Sequence, residues 1–187
     1  MIISILFAFI LAKIKGYKLL LAFKTFSLYP LFLVEATYIF FQVNTFMGNY
    51  YFLQYAGYIK SAYMYVLILP ILLYKLYVPA IAGSGLVFLG TILNKIVIFF
   101  NDGKMPIYPT LSKLTGYYKV GAIEKGSDAL HILVNENTKL VYLTDYIDVG
   151  FSILSIGDVL IHSFIFVIVY FTIKAISIKK AFMDKKN

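Results

Sequence analysis

Residues 151–174 form an apolar run, FSILSIGDVLIHSFIFVIVYFTIK, that contains a single carboxylate, Asp158. A helix rises ~1.5 Å per residue and a bilayer core is ~30 Å thick, so the run has about the length of one membrane span. An ionisable group inside a membrane costs ~2.5–3.5 kcal/mol on insertion scales, so it normally faces a partner or a water-filled cavity. His162 lies one turn further along the same helix face. The run therefore predicts a spanning helix with a polar face.

The whole chain is too apolar for a soluble domain of its size, because 61% of its 187 residues are hydrophobic and only 14% are charged. The apolar residues form further runs with the length of membrane helices, of which the first is short. We expect an all-α integral membrane protein, a single membrane domain over residues 1–187 with about five transmembrane helices. The expected spans are residues 1–14, 29–47, 59–77, 79–100 and 151–174.

Local signals within these runs predict how the helices bend and pack. Pro70 lies inside the third span and is expected to kink it. Residues 16–28 mix lysines with leucines and phenylalanines, which favours an amphipathic segment along the membrane surface. Gly83, Gly90 and Asn94 fall along one side of the fourth span, where small residues let another helix approach closely.

The residue types that are missing exclude several classes of site. The chain has no cysteine and two histidines, so disulfides, cysteine nucleophiles and thiolate zinc sites are excluded, and a histidine metal site is not expected. We expect no metal and no other cofactor. The formal charge of +8 comes from lysines alone, without a recognisable nucleic-acid module, so we expect membrane lipid and not nucleic acid as a partner.

The lysines also predict the orientation. With the N-terminus outside, ten lysines fall on the inner side and six on the outer side, where six acids offset them. The positive-inside rule then favours N-out and C-in, and it places residues 101–150 outside as a small cap. Tyrosines crowd residues 49–65, as is typical of a membrane interface. In the cap, Ser127 or Asp128 could start a short helix through Val134, and residues 139–143 could form a strand.

Several polar residues lie inside the predicted spans and need partners there. Glu35 and Gln42 belong to a polar stripe on the second span, which is expected to face protein. Lys95 and Asp158 are expected at similar depths, where an ion pair would ease the burial of both. Asn94 and Asn101 complete the set of candidate structural or binding polar residues.

Two interpretations of Asp158 remain open. Ser155 and Asp158 have the spacing of a capping box, which makes them a helix start at the outer interface. Alternatively, the chain that returns to the membrane through LTDYIDVG brings Asp145 or Asp148 beside Asp158, with Asp145 favoured, and the two carboxylates share a proton. That arrangement lets one act as base and the other as acid in aspartic peptidases. Ser155 and His162 would line such a site.

The motifs NDGKMP, LTDYIDVG and SIGDVLI together resemble an uncharacterised family of small multi-pass bacterial membrane proteins. Its members carry an Asn-Gly-Gly-x-Met-Pro-like loop and a Ser-Ile-Gly-Asp helix start. The resemblance covers residues 100–165 best and implies no activity. It implies a location in the bacterial plasma (inner) membrane.

More distantly, LTDYIDVG followed by FSILSIGDVLI is similar to the end of lipoprotein signal peptidases. Asp158 matches one catalytic aspartate of that family, with Ser155 where the family has Asn. The preceding helix offers Asn94 but lacks the family's Asp-Arg, so Asp102 or Asp145 would have to substitute for the second aspartate.

Two functions follow from these observations. The first is a membrane protein without established chemistry, acting as a binding, scaffold or transport-associated component with another membrane protein as partner. The alternative is an outward-facing membrane aspartyl hydrolase that acts on a lipid-anchored or membrane-spanning peptide. Whether the protein is an enzyme is left open by the sequence.

Overall fold

The computed structural model describes residues 1–119 and 130–184, and the chain in these ranges is mostly helical. The helices are α1 (Ile2–Ile14), α2 (Leu20–Phe23), α3 (Tyr29–Phe46), α4 (Ala56–Val66), α5 (Ile68–Leu73), α6 (Tyr77–Phe100), α7 (Leu111–Thr115) and α8 (Ile156–Asp184). The short strands are β1 (Met105–Ile107), β2 (His131–Leu133), β3 (Ile147–Asp148) and β4 (Ile153–Leu154).

Four helical segments of the described chain are long and apolar enough to cross a membrane. They are Phe26–Phe46, Ala56–Leu73, Tyr77–Phe100 and Ile156–Asp184. Helix α1 forms as predicted, but its 13 residues cover only ~20 Å at ~1.5 Å per residue, which is less than a bilayer core. The predicted first span is therefore a helix too short to count with the other four.

The third segment is interrupted, as the proline predicts, but the interruption starts before Pro70. Helix α4 ends at Val66 and α5 begins at Ile68, with Leu67 between them. A proline lacks the N–H that would bond the carbonyl four residues earlier, and its ring clashes with that carbonyl. Counting back four residues from Pro70 gives Val66, so the break falls where this clash would occur.

The region between α6 and α8 differs most from the sequence-based expectation of an all-α chain. Strands β1 and β2 pair in parallel, with Met105 opposite His131, and β3 and β4 pair antiparallel, with Ile147 opposite Leu154. The described part of the cap therefore contains two small sheets. Because residues 153–154 belong to β4, helix α8 begins at Ile156 and not at 151 as predicted.

Three smaller expectations concern short segments. Residues 16–28, expected as an amphipathic segment, contain helix α2 and a 3-10 turn at Phe26–Leu28. The strand expected at residues 139–143 is wrong, because Val141–Leu143 form a 3-10 turn. The helix start at Ser127 or Asp128 lies outside the described residues, and the described residues that follow form β2 rather than the end of a helix.

The chain divides into two compact units. The first comprises Met1–Ala36, Ile59–Val87 and His162–Asn187. Its centre includes Leu31, Tyr63 and Ile165, all fully or almost fully buried. Near the end of α8, the Ser177 hydroxyl accepts a hydrogen bond from the Lys18 N–H at 3.1 Å, so the turn after α1 lies against α8.

The second unit comprises Thr37–Tyr58 and Phe88–Ile161. It contains the C-terminal parts of α3 and α6, the whole cap and the first residues of α8. The residues of the predicted site around Asp158 lie in this unit, apart from Glu35 and His162, which belong to the first.

Candidate functional site

The start of α8 is held to α6 by three side chains that form a closed hydrogen-bonded set. The Asn94 amide Nδ2 donates to Asp158 Oδ1 at 3.0 Å, and the Ser155 hydroxyl donates to Asn94 Oδ1 at 2.8 Å. The Asp158 N–H in turn donates to Ser155 Oγ at 2.9 Å. Asn94, Ser155 and Asp158 are called the α6–α8 clamp below. Ser155 therefore caps α8, as the capping-box spacing predicts.

The clamp depends on two glycines that bring the helix backbones together. A Cβ at Gly157 would lie 2.0 Å from Asn94 Oδ1 and 2.6 Å from the Gly90 carbonyl oxygen. A Cβ at Gly90 would lie 2.4 Å from the Gly157 carbonyl oxygen. Any side chain at either position would push the helices apart. The close approach predicted for Gly90 is confirmed, whereas sequence reasoning did not single out Gly157.

The structure does not form the predicted ion pair between Lys95 and Asp158. Lys95 is exposed, and its ammonium makes no ion pair within the described part of the chain. One residue along a helix turns the side chain by ~100°, so Lys95 leaves the face that Asn94 presents to α8. The partner of Asp158 is the neutral amide and not the lysine. His162 lies half-buried one turn further along α8.

The second carboxylate of the predicted pair has a different partner. Asp145 is buried in the cap, where its backbone bridges Ile107 and its Oδ2 lies 3.5 Å from His131 Nε2. None of the described hydrogen bonds of Asp158 reaches Asp145. Asp102, the substitute, is exposed in the turn after α6, with a backbone φ of 54°.

A third aspartate, Asp148, is the most heavily hydrogen-bonded carboxylate of the described cap. Its Oδ2 accepts from the Thr110 N–H at 2.7 Å, the Ser112 N–H at 2.8 Å and the Ser112 hydroxyl at 2.7 Å. Its Oδ1 accepts from the Gly150 N–H at 2.9 Å. Asp148 thus supplies the acceptors for the first N–H groups of α7, which would otherwise lack partners.

These hydrogen bonds set the charge state of Asp148. Partial burial alone would raise the pKa of the carboxyl, but the bonds from Ser112, Gly150 and Thr110 outweigh it and hold the pKa below its ordinary value. The sequence carried one signal for this role, since an aspartate two residues before a glycine often forms an Asx turn. The bonds to Thr110 and Ser112 join residues 36 to 38 positions apart and had no local signal.

Two further predicted polar residues tie the cap to the helices. Asn101 is buried at the end of α6, where its Nδ2 donates to the Lys139 carbonyl at 3.0 Å and its Oδ1 accepts from the Lys139 N–H at 2.9 Å. Gln42 on α3 donates to the Phe151 carbonyl at 3.0 Å. Both act as attachment points for cap segments.

Glu35 belongs to the first unit, and so does its hydrogen-bond partner. It is buried on α3, where the Tyr63 hydroxyl donates to Glu35 Oε2 at 2.5 Å. Glu35 contacts Tyr63 and Gln42 contacts Phe151, so both residues of the polar stripe on α3 face protein, as expected.

The described groups of the site hold structural elements together. An amide, a hydroxyl and a carboxylate surround the start of α8, each bonded to another member of the clamp. In residues 1–119 and 130–184, no three His, Asp or Glu side chains cluster as a metal ion would require. No residue of the described site is therefore assigned to a metal or cofactor.

The chain matches DUF5317, a family of unknown function, over residues 2–170. Because the match covers most of the chain, the chain belongs to this family. The predicted membership of an uncharacterised family is confirmed, and the family supplies no activity. No curated protein and no solved structure matches the chain.

Proposed function

We propose that this chain is a multi-pass membrane protein of the bacterial plasma membrane that acts as a binding or scaffold component. The observation that carries the proposal is the α6–α8 clamp, in which Asp158 is bonded to a neutral amide and to its own helix cap. A carboxylate used in this way stabilises a helix pair and presents no second acid to a substrate.

The helix surfaces support membrane embedding. Large apolar side chains point outward from the long helices, and Leu33, Ile81 and Phe99 are each at least 70% exposed. Soluble proteins rarely expose apolar surface on this scale, whereas lipid covers it without loss. The four long apolar segments supply the required length.

The proposed orientation rests on the lysine count. The C-terminus lies inside and the cap lies outside, since ten lysines then fall on the inner side. The N-terminus outside is part of the same proposal and requires α1, which is ~20 Å long at ~1.5 Å per residue, to cross the bilayer.

The binding role is better supported than the hydrolase role. A hydrolase of the aspartic type needs two carboxyl groups close enough to share a proton or a water. The described contacts give Asp158 an amide partner and Asp145 an imidazole partner. Nothing in these contacts joins the two acids.

A cysteine-labelling experiment tests embedding and orientation in this cysteine-free chain. Asn137→Cys lies in an exposed polar turn of the cap, and Lys179→Cys lies on the exposed end of α8. We expect an impermeant maleimide to label the first in intact cells and the second only after lysis. Ser112 is unsuitable as a reporter because it is buried and bonded to Asp148.

Two results would contradict the proposal. Release of the protein from membranes by an alkaline wash would show that the apolar helices do not cross the bilayer. Labelling of Lys179→Cys in intact cells, with Asn137→Cys protected, would reverse the orientation.

A further inference from the structure

Residues 111–119 of the cap lie against the end of α3. The Tyr117 ring packs edge-on against Phe46, the last residue of α3, with 5.1 Å between ring centroids. Lys119 Nζ occupies the space beside Gly48, where a Cβ would lie only 2.7 Å from it. Phe46 is also the end of the candidate span Phe26–Phe46, so this segment lies at the level where that span leaves the bilayer.

The same residues expose an apolar edge flanked by lysines. Leu114 is 85% exposed and Leu111 is also exposed, while Lys113 and Lys119 carry the charges. Lys113 Nζ lies 6.0 Å from the centre of the Tyr118 ring, which keeps its charge beside an aromatic face. Leucine, tyrosine and lysine together are typical of segments that lie in a membrane interface.

No acid offsets the two lysines within residues 111–119. The oxygens of Asp148, in the same cap, are turned onto the Thr110, Ser112 and Gly150 groups. Both oxygens of Asp148 thus accept hydrogen bonds from within the cap. Lys113 and Lys119 are both exposed, so an anion from outside the cap can reach their side chains.

Exposed tyrosines follow the same end of α3 along the chain. Tyr51 and Tyr58 both expose their rings, and Tyr51 packs against Tyr55 with 6.1 Å between centroids. Tyrosines in this position are typical of the headgroup layer, where a ring with one polar end is favoured. In the proposed membrane these tyrosines lie at the same level as Phe46, which precedes them in the chain.

We propose that residues 111–119 are a lipid-binding segment that inserts Leu114 into the leaflet at the C-terminal end of α3 and binds anionic phospholipid headgroups through Lys113 and Lys119. The lysines contact the phosphates, and the leucine and tyrosines sit among the upper acyl carbons. The inference rests on the proposed membrane embedding but not on which side the cap faces.

The test uses the full chain with Leu114→Cys carrying an environment-sensitive fluorophore, reconstituted into vesicles. Asn137→Cys with the same dye is the matched control, because it lies in a polar turn of the cap. We expect lipids spin-labelled near the headgroup to quench the dye at 114 and not at 137. Spin-labelled phosphatidylglycerol should quench the dye at 114 more than spin-labelled phosphatidylcholine does. The apparent affinity for the two lipids should differ by about fivefold for each lysine.

The lysines are tested by Lys113→Gln combined with Lys119→Gln in the Leu114→Cys background. This variant should lose the preference for phosphatidylglycerol, and Lys139→Gln, another exposed cap lysine, should keep it. Quenching of the dye at 114 by aqueous iodide to the same extent as at 137 would overturn the proposal. So would an unchanged lipid preference in the double variant.

An alkaline wash of the same vesicles distinguishes a failure of the proposed membrane embedding from a failure of the lipid-binding segment alone. If the protein is released, the proposed membrane function fails together with the inference. If it is retained while residue 114 stays in water, the membrane function stands and only the lipid-binding segment is refuted.

Discussion

At the scale of single residues, the identity of the Asp158 partner follows from what an amide can do. Asn94 carries both a donor and an acceptor, so it receives the Ser155 hydroxyl and donates to the Asp158 carboxylate at once. A lysine could only have donated. The amide thus connects the helix cap to the carboxylate without adding a charge to an apolar helix pair.

We predict that Asn94 and Asp158 are energetically coupled. Asn94→Ala, Asp158→Ala and the double variant should give a coupling free energy of roughly 0.6 kcal/mol, and at most about 1.7 kcal/mol, as for other hydrogen bonds between membrane helices. Reversible unfolding of the purified protein in mixed micelles measures it. The matched cycle of Lys95→Ala with Asp158→Ala should be additive. A coupling free energy in that cycle would show that Lys95 and Asp158 form an ion pair.

We also predict that Gly157 cannot accept a side chain. Gly157→Ala places a methyl group 2.0 Å from Asn94 Oδ1, which forces the helices apart. Such overpacking should lower the free energy of unfolding by about 1–3 kcal/mol. Gly85→Ala on α6 is the control, since nothing lies within 4 Å of its added Cβ. Alanine is the better helix former, so Gly85→Ala should be neutral or stabilising. Equal losses at both positions would contradict this account.

At the scale of elements, a few buried or half-buried polar side chains hold the described cap together and attach it to the helices. Asp148 joins β3 to the start of α7, Asn101 joins the end of α6 to Lys139, and Gln42 joins α3 to Phe151. The sheets themselves have only two or three residues per strand. The cap therefore depends on these side chains more than on its strand pairing.

The Asp148 carboxylate should make the cap sensitive to acid. Its folded pKa lies below the ordinary value near ~3.9, so its stabilising effect is fully present above about pH 4. That effect is lost as the pH falls through the folded pKa. Asp148→Asn should weaken the cap already at neutral pH and remove this part of the acid dependence.

The measurement is the near-UV circular dichroism of the tyrosines, followed during unfolding between about pH 3 and pH 7, a range that includes the pKa of ~3.9 of a free aspartate. Glu136→Gln is the control, because Glu136 is exposed in the polar turn of the cap. It should leave the acid dependence as in the parent chain. An unchanged profile in Asp148→Asn would show that Asp148 does not determine it.

Asn101 should control how firmly residue 139 is attached to α6. Asn101→Ala leaves the Lys139 N–H and carbonyl without their side-chain partner, and burying unsatisfied groups costs about 1–3 kcal/mol. Hydrogen exchange at the Lys139 amide should therefore become faster by roughly one to two orders of magnitude. Asp102→Asn, at the exposed next position, should leave that exchange rate unchanged. Equal exchange in both variants would show that Asn101 is not the attachment.

At the scale of the whole molecule, the two functional hypotheses make opposite predictions about chemistry. We expect the purified protein not to cleave a lipid-anchored peptide reporter above the level of Asp145→Asn or Asp158→Asn. The two variants should instead differ from the parent in stability, since each aspartate has a structural partner. Cleavage by the parent that both variants lose, while remaining folded, would establish the hydrolase.

The sequence alone determined where most of the long helices form and that their surfaces are apolar. Runs such as residues 29–47 and 79–100 agree with α3 and α6 within about two residues, the usual uncertainty of helix ends. Hydropathy and helix rise are local properties, so a single segment carries them. The cap of α8 by Ser155 was also local, because a capping box spans four residues.

The tertiary structure alone decided which polar groups meet. Asp158 is hydrogen-bonded to Asn94 and not paired with Lys95, Asp145 lies beside His131, and Asp148 accepts from Ser112. These partners are between 14 and 64 positions apart in the chain, and neighbouring residues on one helix point ~100° apart. Composition cannot choose between Asn94 and Lys95, because that choice depends on the rotation of α6 against α8. The contact of Gly90 with Gly157 fixes that rotation, and it exists only once the two helices have packed.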